Sequence, residues 1–415
     1  MKIIHMPSSA MPEKLGGTEV YVDALATSQA AKGWQPIVLT FGQETVRKQF
    51  GAYERVVLAA QPAVLASELY GRVAKDVREF EQFLKVESPD AVHFHAFTTG
   101  SGISHARICV EHKIPYLITY HIASMSCLRG NLLYQGAEIC DGVCSSKKYV
   151  ECIGSVRSFI LTMAGRDTAR RFQIHDDAVK EFFSNASHTV ATAGWVESLL
   201  ISNGLRADKI SLLRQNTPVG SGRFSLKLLP EKSLRIGYLS RISDDKGVIR
   251  FLNLASASQL ARLPLTWQIA GYADGLKSKN ARKLQSSIES GAVSYAGQLS
   301  RPDLANFLAS IDVLVVPSIA PETGPLNLLE AWNKGVWVIG SAHSGILEFF
   351  QSMNLEFCGI REWTMSNFQS VLQKIREFQK TPAGAPERVF EVLTPESAAI
   401  KMTGIYESVL NKRII

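Results

Sequence analysis

IDVLVVPSIAPETGPLNLLEAWNKGVWVIG, residues 311–340, is the stretch whose reading decides the fold. Val313–Val316 is an unbroken apolar run, the pattern of a strand covered on both faces in a parallel sheet. Pro317-Ser318 ends the run and opens a loop. A helix is predicted from near Pro325, a favoured first-turn residue, to just before Gly335, and Val336–Ile339 reads as the next strand. Glu322 stands just before that helix and Glu330 lies eight residues on, inside it. A helix that starts at the carboxyl end of a parallel strand aims its free N–H groups at the ligand position, which favours an anion there. An inward Glu330 can accept hydrogen bonds from vicinal hydroxyls of the same ligand.

The same alternation extends in both directions. Ile3–Met6, Pro36–Thr40, Arg55–Leu58, Ala91–His95, Tyr116–Tyr120, Thr189–Ala191 and Ile210–Leu213 read as strands in the first half. Leu234–Leu239, Trp267–Ala270 and Val293–Tyr295 precede the deciding stretch in the second. A first helix is predicted from Thr18 to Lys32, stopped by Gly33, and a last one over Pro395–Leu410. The weak point is Pro218-Val219-Gly220-Ser221-Gly222-Arg223, followed by the polar Pro230-Glu231-Lys232-Ser233, which reads as a linker. The expected architecture is α/β: two doubly wound Rossmann-like domains, 1–220 and 221–394, with a cleft between them and a C-terminal helix at 395–415.

A chain of 415 residues fits two or three domains, and 46% hydrophobic residues exclude disorder. Lys+Arg 45 against Asp+Glu 38 leaves +7, mild enough that charge alone selects no partner. No apolar run reaches the ~18 residues of a membrane span, and Met1–Pro7 breaks too early for a secretory segment. Six cysteines make no disulfide scaffold, so a reducing, cytoplasmic setting is expected. Phosphate-loop, dinucleotide, zinc-protease and serine-elbow motifs are missing, as is any Asp-x-Asp pair for a divalent metal. Nucleic-acid binding is not expected, because the positive charge is spread out.

The second constellation is GYLSRISDDKG, residues 237–247. Two cations follow a strand end on the loop into the next helix. Arg241 offers a planar fork for phosphate oxygens and Lys246 a compact point charge.

With both constellations in view, the chain resembles a retaining glycosyltransferase of family 4, the glycosyl transferases group 1, which have the GT-B fold. The carriers are Glu322 and Glu330 within PS-x3-E-x2-PL-x3-EA-x3-G, and Arg241, Lys246 and Gly247 as R-x4-K-G. Gly16-Gly17-Thr18-Glu19 after the first strand, and His121 after Tyr116–Tyr120, are looser matches. The resemblance implies a nucleotide-sugar donor held by the C-terminal domain and a saccharide or lipid-linked acceptor held by the N-terminal one. Arg241 and Lys246 would stabilise the leaving diphosphate in place of a metal, so no cofactor is expected. Glu322, with the backbone of Thr323, Gly324, Pro325, Leu326 and Asn327, would bind the donor sugar, and Glu330 the ribose. Gln298 and Leu299 would lie at the base, Gly16 and Gly17 at phosphate or sugar, and His121 near the transferred sugar. His93 and His95 are expected to be structural. Trp337 departs from the family's usual proline. An epimerase, a glycoside phosphorylase or an inactive binding protein on the same fold stays open.

Two further features sit in the first half. Cys127, Cys140, Cys144 and Cys152 offer four thiols to a structural zinc or remain free. Residues 147–171 interleave Lys147, Lys148, Arg157, Arg166, Arg170 and Arg171 with apolar residues, suiting either an anionic membrane surface or a solvated amphipathic helix.

Overall fold

The computed structural model describes residues 1–12, 16–59, 77–98, 101–153, 162–215, 223–273, 276–384 and 389–411, with the backbone alone for 162–168. The chain divides into two compact units, Met1–Gln215 with Pro395–Ile415, and Asn216–Thr394.

In the first unit the strands are β1 (Lys2–Met6), β2 (Gln35–Gly42), β3 (Val46–Phe50), β4 (Tyr53–Ala59), β5 (Ala91–Phe94), β6 (Tyr116–Tyr120), the small hairpin β7 (Leu133–Tyr134) and β8 (Glu138–Ile139), β9 (His188–Ala191) and β10 (Ile210–Leu212). The main sheet has the order β10-β9-β6-β5-β1-β2-β4-β3 and is parallel except for the β3–β4 pair. Its helices are α1 (Gly17–Ala31), α2 (Val77–Glu87), α3 (Ile103–Glu111), α4 (Ser146–Ile153), α5 (Thr162–Ser184) and α6 (Gly194–Ser202). Helix α1 ends where Gly33 takes φ +79°; Gly33 N donates to Ala30 O and Trp34 N to Gln29 O, which satisfies its last carbonyls.

The antiparallel β3 departs from the all-parallel expectation. Its middle residues Arg47, Lys48 and Gln49 are exposed, so it carries no apolar alternation to read, and charge suits an unpaired edge. Arg47 binds Glu54 on β4 and, at 2.7 Å, Glu87 of α2.

The second unit has β11 (Arg223–Phe224), β12 (Leu234–Leu239), β13 (Leu265–Ala270), β14 (Ser294–Tyr295), β15 (Val313–Val316), β16 (Trp337–Ser341), β17 (Gly359–Ile360) and β18 (Phe390–Glu391). The parallel sheet runs β14-β13-β12-β15-β16-β17. Helices α7 (Val248–Leu260), α8 (Ser278–Glu289), α9 (Arg301–Ser310), α10 (Leu326–Asn333), α11 (Ser344–Ser352) and α12 (Met365–Phe378) alternate with the strands. Of the linker read at 218–223, residues 218–222 lie outside the described residues, and Arg223 instead begins β11. The reason is Phe224: its ring stacks on Phe390 of β18 at 5.3 Å and on Trp332 of α10 at 5.3 Å, burying three aromatic rings.

The last helix, α13 (Pro395–Asn411), returns to the first unit. It lies along α1, with Tyr406 fully buried and edge-on to Trp34 at 5.7 Å.

Trp337, at the family's proline position, is 1% exposed on β16, and its indole N–H donates to Lys227 O at 2.7 Å. Truncation removes a large core side chain and one of two donors to that carbonyl, the other being Gln379 Nε2 at 2.8 Å. Trp337→Ala is expected to cost about 3–5 kcal/mol, read as a lower urea midpoint. An unchanged midpoint would mean the ring is not part of the packed core.

Candidate functional site

In the second unit, β12 and β15 are adjacent parallel strands, so the loops after them leave the same edge of the sheet. The loop after β12 carries Arg241 and Lys246; the loop after β15 carries Ser318 and Glu322. Two backbone bonds lace them: Ile319 N and Ala320 N donate to Asp245 O at 2.8 and 3.1 Å. Gly247 makes the approach possible. It sits at φ +72°, and a Cβ there would fall 1.9 Å from Pro317 O, so no other residue fits.

The lacing brings the sequence motifs together. Lys246 Nζ donates to Glu322 Oε1 at 2.6 Å, and Ser318 Oγ donates to the same oxygen at 2.6 Å. Arg241 pairs with Asp245 at 2.9 Å rather than with its other neighbour Asp244, whose carboxylate instead accepts from Asn280 at 2.7 Å. Behind the loop, Arg250 donates to Pro317 O and Ser318 O, each at 3.1 Å, and His343 Nε2 lies 3.0 Å from Ser318 O. Burial holds the His343 pKa below its usual value, so this ring is neutral at pH 7 and donates to the carbonyl.

Helix α10 starts after Gly324 and Pro325, as the sequence predicts. Asn327 Nδ2 donates to Leu239 O at 2.6 Å and pins the helix start to the end of β12. Thr323 and Leu326 lie on either side of this Gly-Pro turn. Glu330 is 8% exposed, with Arg301 at 3.6 Å. Burial raises its pKa to about 7, against the opposing pull of Arg301. Gln298 is exposed on the loop after β14, and Leu299 packs against the core. That loop is tied to the end of β13, because Gly271 N donates to Gly297 O at 2.8 Å and Tyr295 Oη to Gly271 O at 2.9 Å.

In the first unit, Gly16 and Gly17 stand at the start of α1, with the buried Glu19 carboxylate beside Gly16 and accepting from Ser9 Oγ. His121 follows β6 and is 4% exposed. Its Nε2 lies 3.1 Å from His95 Nδ1 and its Nδ1 3.4 Å from Gln215 Nε2, while burial lowers its pKa to about 3. At neutral pH this imidazole carries no exchangeable positive charge. His95, read as structural, is therefore directly bonded to His121.

The thiols at 127, 140, 144 and 152 are free. Among the described residues, three ligand atoms converge within 4.8 Å only at His5, His93 and His95, not at the cysteines. Burial raises the Cys144 thiol to about 11. Of the basic stretch 147–171, residues 154–161 lie outside the described residues. Lys148 is bound to Asp141 and, at 2.7 Å, to Val143 O.

Sequence reasoning gave no role to Ser318, Asp245 and Arg301. Ser318 lies inside the PS-x3-E motif and Asp245 inside the Arg241–Lys246 loop, but Arg301 belongs to no spaced motif; in the structure each contacts a motif residue, Glu322, Arg241 and Glu330 respectively.

Residues 224–375 match the model of the family glycosyl transferases group 1, and residues 16–214 that of the glycosyl transferase 4-like domain. The amylovoran biosynthesis glycosyltransferase AmsK of Erwinia amylovora is 25% identical over 197 residues, 45% of this chain and 47% of that protein. The match thus spans about half the length of this curated relative. A solved glycosyltransferase from Rickettsia africae ESF-5 superposes with a TM-score of 0.60 at 12% identity, covering 99% of this chain and 98% of that one. Anabaena HepE, solved in complex with UDP-glucose, superposes with a TM-score of 0.56 at 16% identity over 99% and 98% of the two chains.

Proposed function

The chain belongs to the glycosyl transferases group 1 and has the GT-B fold, and from that premise we propose that it transfers a sugar from a nucleotide-sugar donor to a saccharide or lipid-linked acceptor with retention of anomeric configuration. The observation that carries this reading is the Lys246–Glu322–Ser318 contact at the carboxyl ends of β12 and β15. A cation suited to a diphosphate beside a carboxylate suited to sugar hydroxyls supports the reading, as does the helix start after Pro325, whose N–H groups favour an anion.

In the proposed reaction the bond from the anomeric carbon to the donor phosphate breaks, and the acceptor oxygen bonds to that carbon on the same face. The acceptor's proton passes to the departing phosphate. Lys246 and Arg241 stabilise the charge growing on that phosphate, which is the work a divalent metal does elsewhere. Glu322 is a sugar ligand, not a covalent nucleophile. The proposed biological setting is synthesis of a cell-surface polysaccharide or glycoconjugate, a reading supported by the AmsK likeness.

A screen of UDP-, GDP- and ADP-sugars tests the reading. One donor class is expected to raise the melting temperature and to be consumed with acceptor, giving a product of unchanged anomeric configuration by proton NMR. Turnover is expected to persist in excess EDTA. If no nucleotide-sugar shifts the melting temperature, the donor assignment is wrong.

For a lipid-linked acceptor we propose peripheral contact with the cytoplasmic face of an anionic membrane. No helix among the described residues is long and apolar enough to cross one. Co-sedimentation with anionic vesicles, lost in 0.5 M salt, is the expected result; equal partition onto neutral vesicles would remove the electrostatic basis.

A further inference from the structure

The densest titratable cluster outside the second unit's site is a file of buried histidines on the central strands of the first. His5 on β1 stands in register with His93 on β5, His95 follows two residues on, and His121 follows β6. Each is at most 4% exposed. Hydrogen bonds run from Gln29 Oε1 to His5 Nε2 (2.7 Å), His5 Nδ1 to His95 Nε2 (3.0 Å), His95 Nδ1 to His121 Nε2 (3.1 Å) and His121 Nδ1 to Gln215 Nε2 (3.4 Å). His93 stands beside the file, bonded to Tyr406 of α13 and to Thr119.

A neutral imidazole has one N–H and one lone pair. Each bond in the file joins Nδ1 of one ring to Nε2 of the next, so neighbouring rings cannot choose tautomers independently. If His121 carries its proton on Nε2, His95 must accept on Nδ1 and carry its own proton on Nε2, and His5 must do the same. The three rings share one tautomer or the file breaks. The two glutamines select which. The Gln29 carbonyl accepts, so His5 Nε2 is protonated; the Gln215 amide donates, so His121 Nδ1 is a lone pair. Both ends specify the same direction.

We propose that Gln29, His5 and His95 are positioning residues that hold His121 as its Nε2–H tautomer, leaving Nδ1 as the acceptor for a hydroxyl of a bound saccharide. The sugar clause rests on the glycosyltransferase reading above; the tautomer clause does not. The His121–Gln215 bond is the longest of the file, and it is the one a hydroxyl would replace. Burial keeps all four rings neutral, His5 near 4 and His121 near 3, with His93 and His95 also held well below the usual imidazole range. A metal on His5, His93 and His95 is the competing use of the cluster. It would have to break bonds that already engage both nitrogens of each of those rings.

The test is long-range proton–nitrogen NMR on the full chain with ¹⁵N-histidine, which reads the tautomer of each ring directly. His5, His95 and His121 are expected to be neutral and Nε2-protonated from pH 6 to 8. Gln29→Leu, which removes the accepting end from a helix away from His121, is expected to turn all three into tautomer mixtures. His95→Gln is expected to mix His121 while lowering kcat about tenfold or more, with the donor KM within twofold. Unlike tautomers along the file, or a His121 signal indifferent to Gln29→Leu, would overturn the proposal. So would three rings protonated on Nδ1, or stoichiometric zinc in the purified protein. If the tautomers respond as stated but no nucleotide-sugar is turned over by the wild type, the coupling stands and the glycosyltransferase reading is what fails.

Discussion

Lys246→Ala is expected to lower turnover by about 10²–10³-fold while the protein stays folded, and Arg241→Ala is expected to come close to it. Lys246 Nζ is 2.6 Å from Glu322 Oε1, and the two side chains are 26% and 12% exposed. The pair is mostly buried, so removing the lysine alone also costs stability, and a melting curve is expected to show Lys246→Ala still folded at the assay temperature. Loss of the pair changes the electrostatics of the proposed reaction far more. With the lysine gone, Glu322 keeps its negative charge beside the position proposed for a diphosphate, and the departing phosphate gains charge with nothing compact to meet it. Lys246→Arg is not expected to restore the rate, because a planar fork cannot occupy the place of a point charge held against one carboxylate oxygen. Lys246→Ala combined with Glu322→Gln removes the repulsion. It is expected to recover nucleotide affinity by calorimetry without recovering turnover. Turnover of Lys246→Ala within threefold of wild type would show that the cation does not act on the leaving group.

The residues of this site were legible in the sequence to the extent that each carries its own signal. The run Val313–Val316, the Gly-Pro turn into α10 and the glycine after Lys246 are local patterns, and the structure gives each a local cause. Gly247 illustrates the limit. Its presence after Lys246 can be read from the sequence, but its reason is the carbonyl of Pro317, seventy residues away. Arg301 was not legible because a lone arginine at a helix start looks like any solvated charge until Glu330 is found 3.6 Å from it. The same holds for strand β3, whose edge position removes the apolar alternation that would betray it. It holds most of all for His5, His93, His95 and His121, spaced irregularly along the chain and adjacent only once β1, β5 and β6 lie side by side. Periodicity reports which faces are buried. It does not report which buried polar atoms meet.

Nucleotide-sugar affinity is expected to rise with pH and level off above about 7, and Glu330→Gln is expected to remove that rise. Burial lifts the Glu330 carboxyl to about 7, with Arg301 pulling the other way, so in the free protein near neutrality it is partly protonated. The proposed ligand changes the balance. Ribose hydroxyls donate, and a carboxylate accepts two such bonds where a carboxylic acid must give up one acceptor site to its own proton. The ligand therefore prefers the ionised form, and binding below pH 7 must first expel a proton. The stability of the free protein has the opposite slope. The unfolded chain releases this proton near 4.5, whereas the fold keeps it to about 7, so this group's contribution falls as pH rises between those values. Glu330→Gln should accordingly melt higher than wild type at pH 8, where the wild-type carboxylate is buried as an ion, and the gap should close toward pH 5. Calorimetry of nucleotide-sugar binding at pH 6.5 in two buffers of different ionisation enthalpy separates the terms, because the donor's own diphosphate does not titrate there. The wild type is expected to release a substantial fraction of a proton and Glu330→Gln none. Equal proton release by the two would place the titrating group elsewhere and leave Glu330 without a part in nucleotide binding.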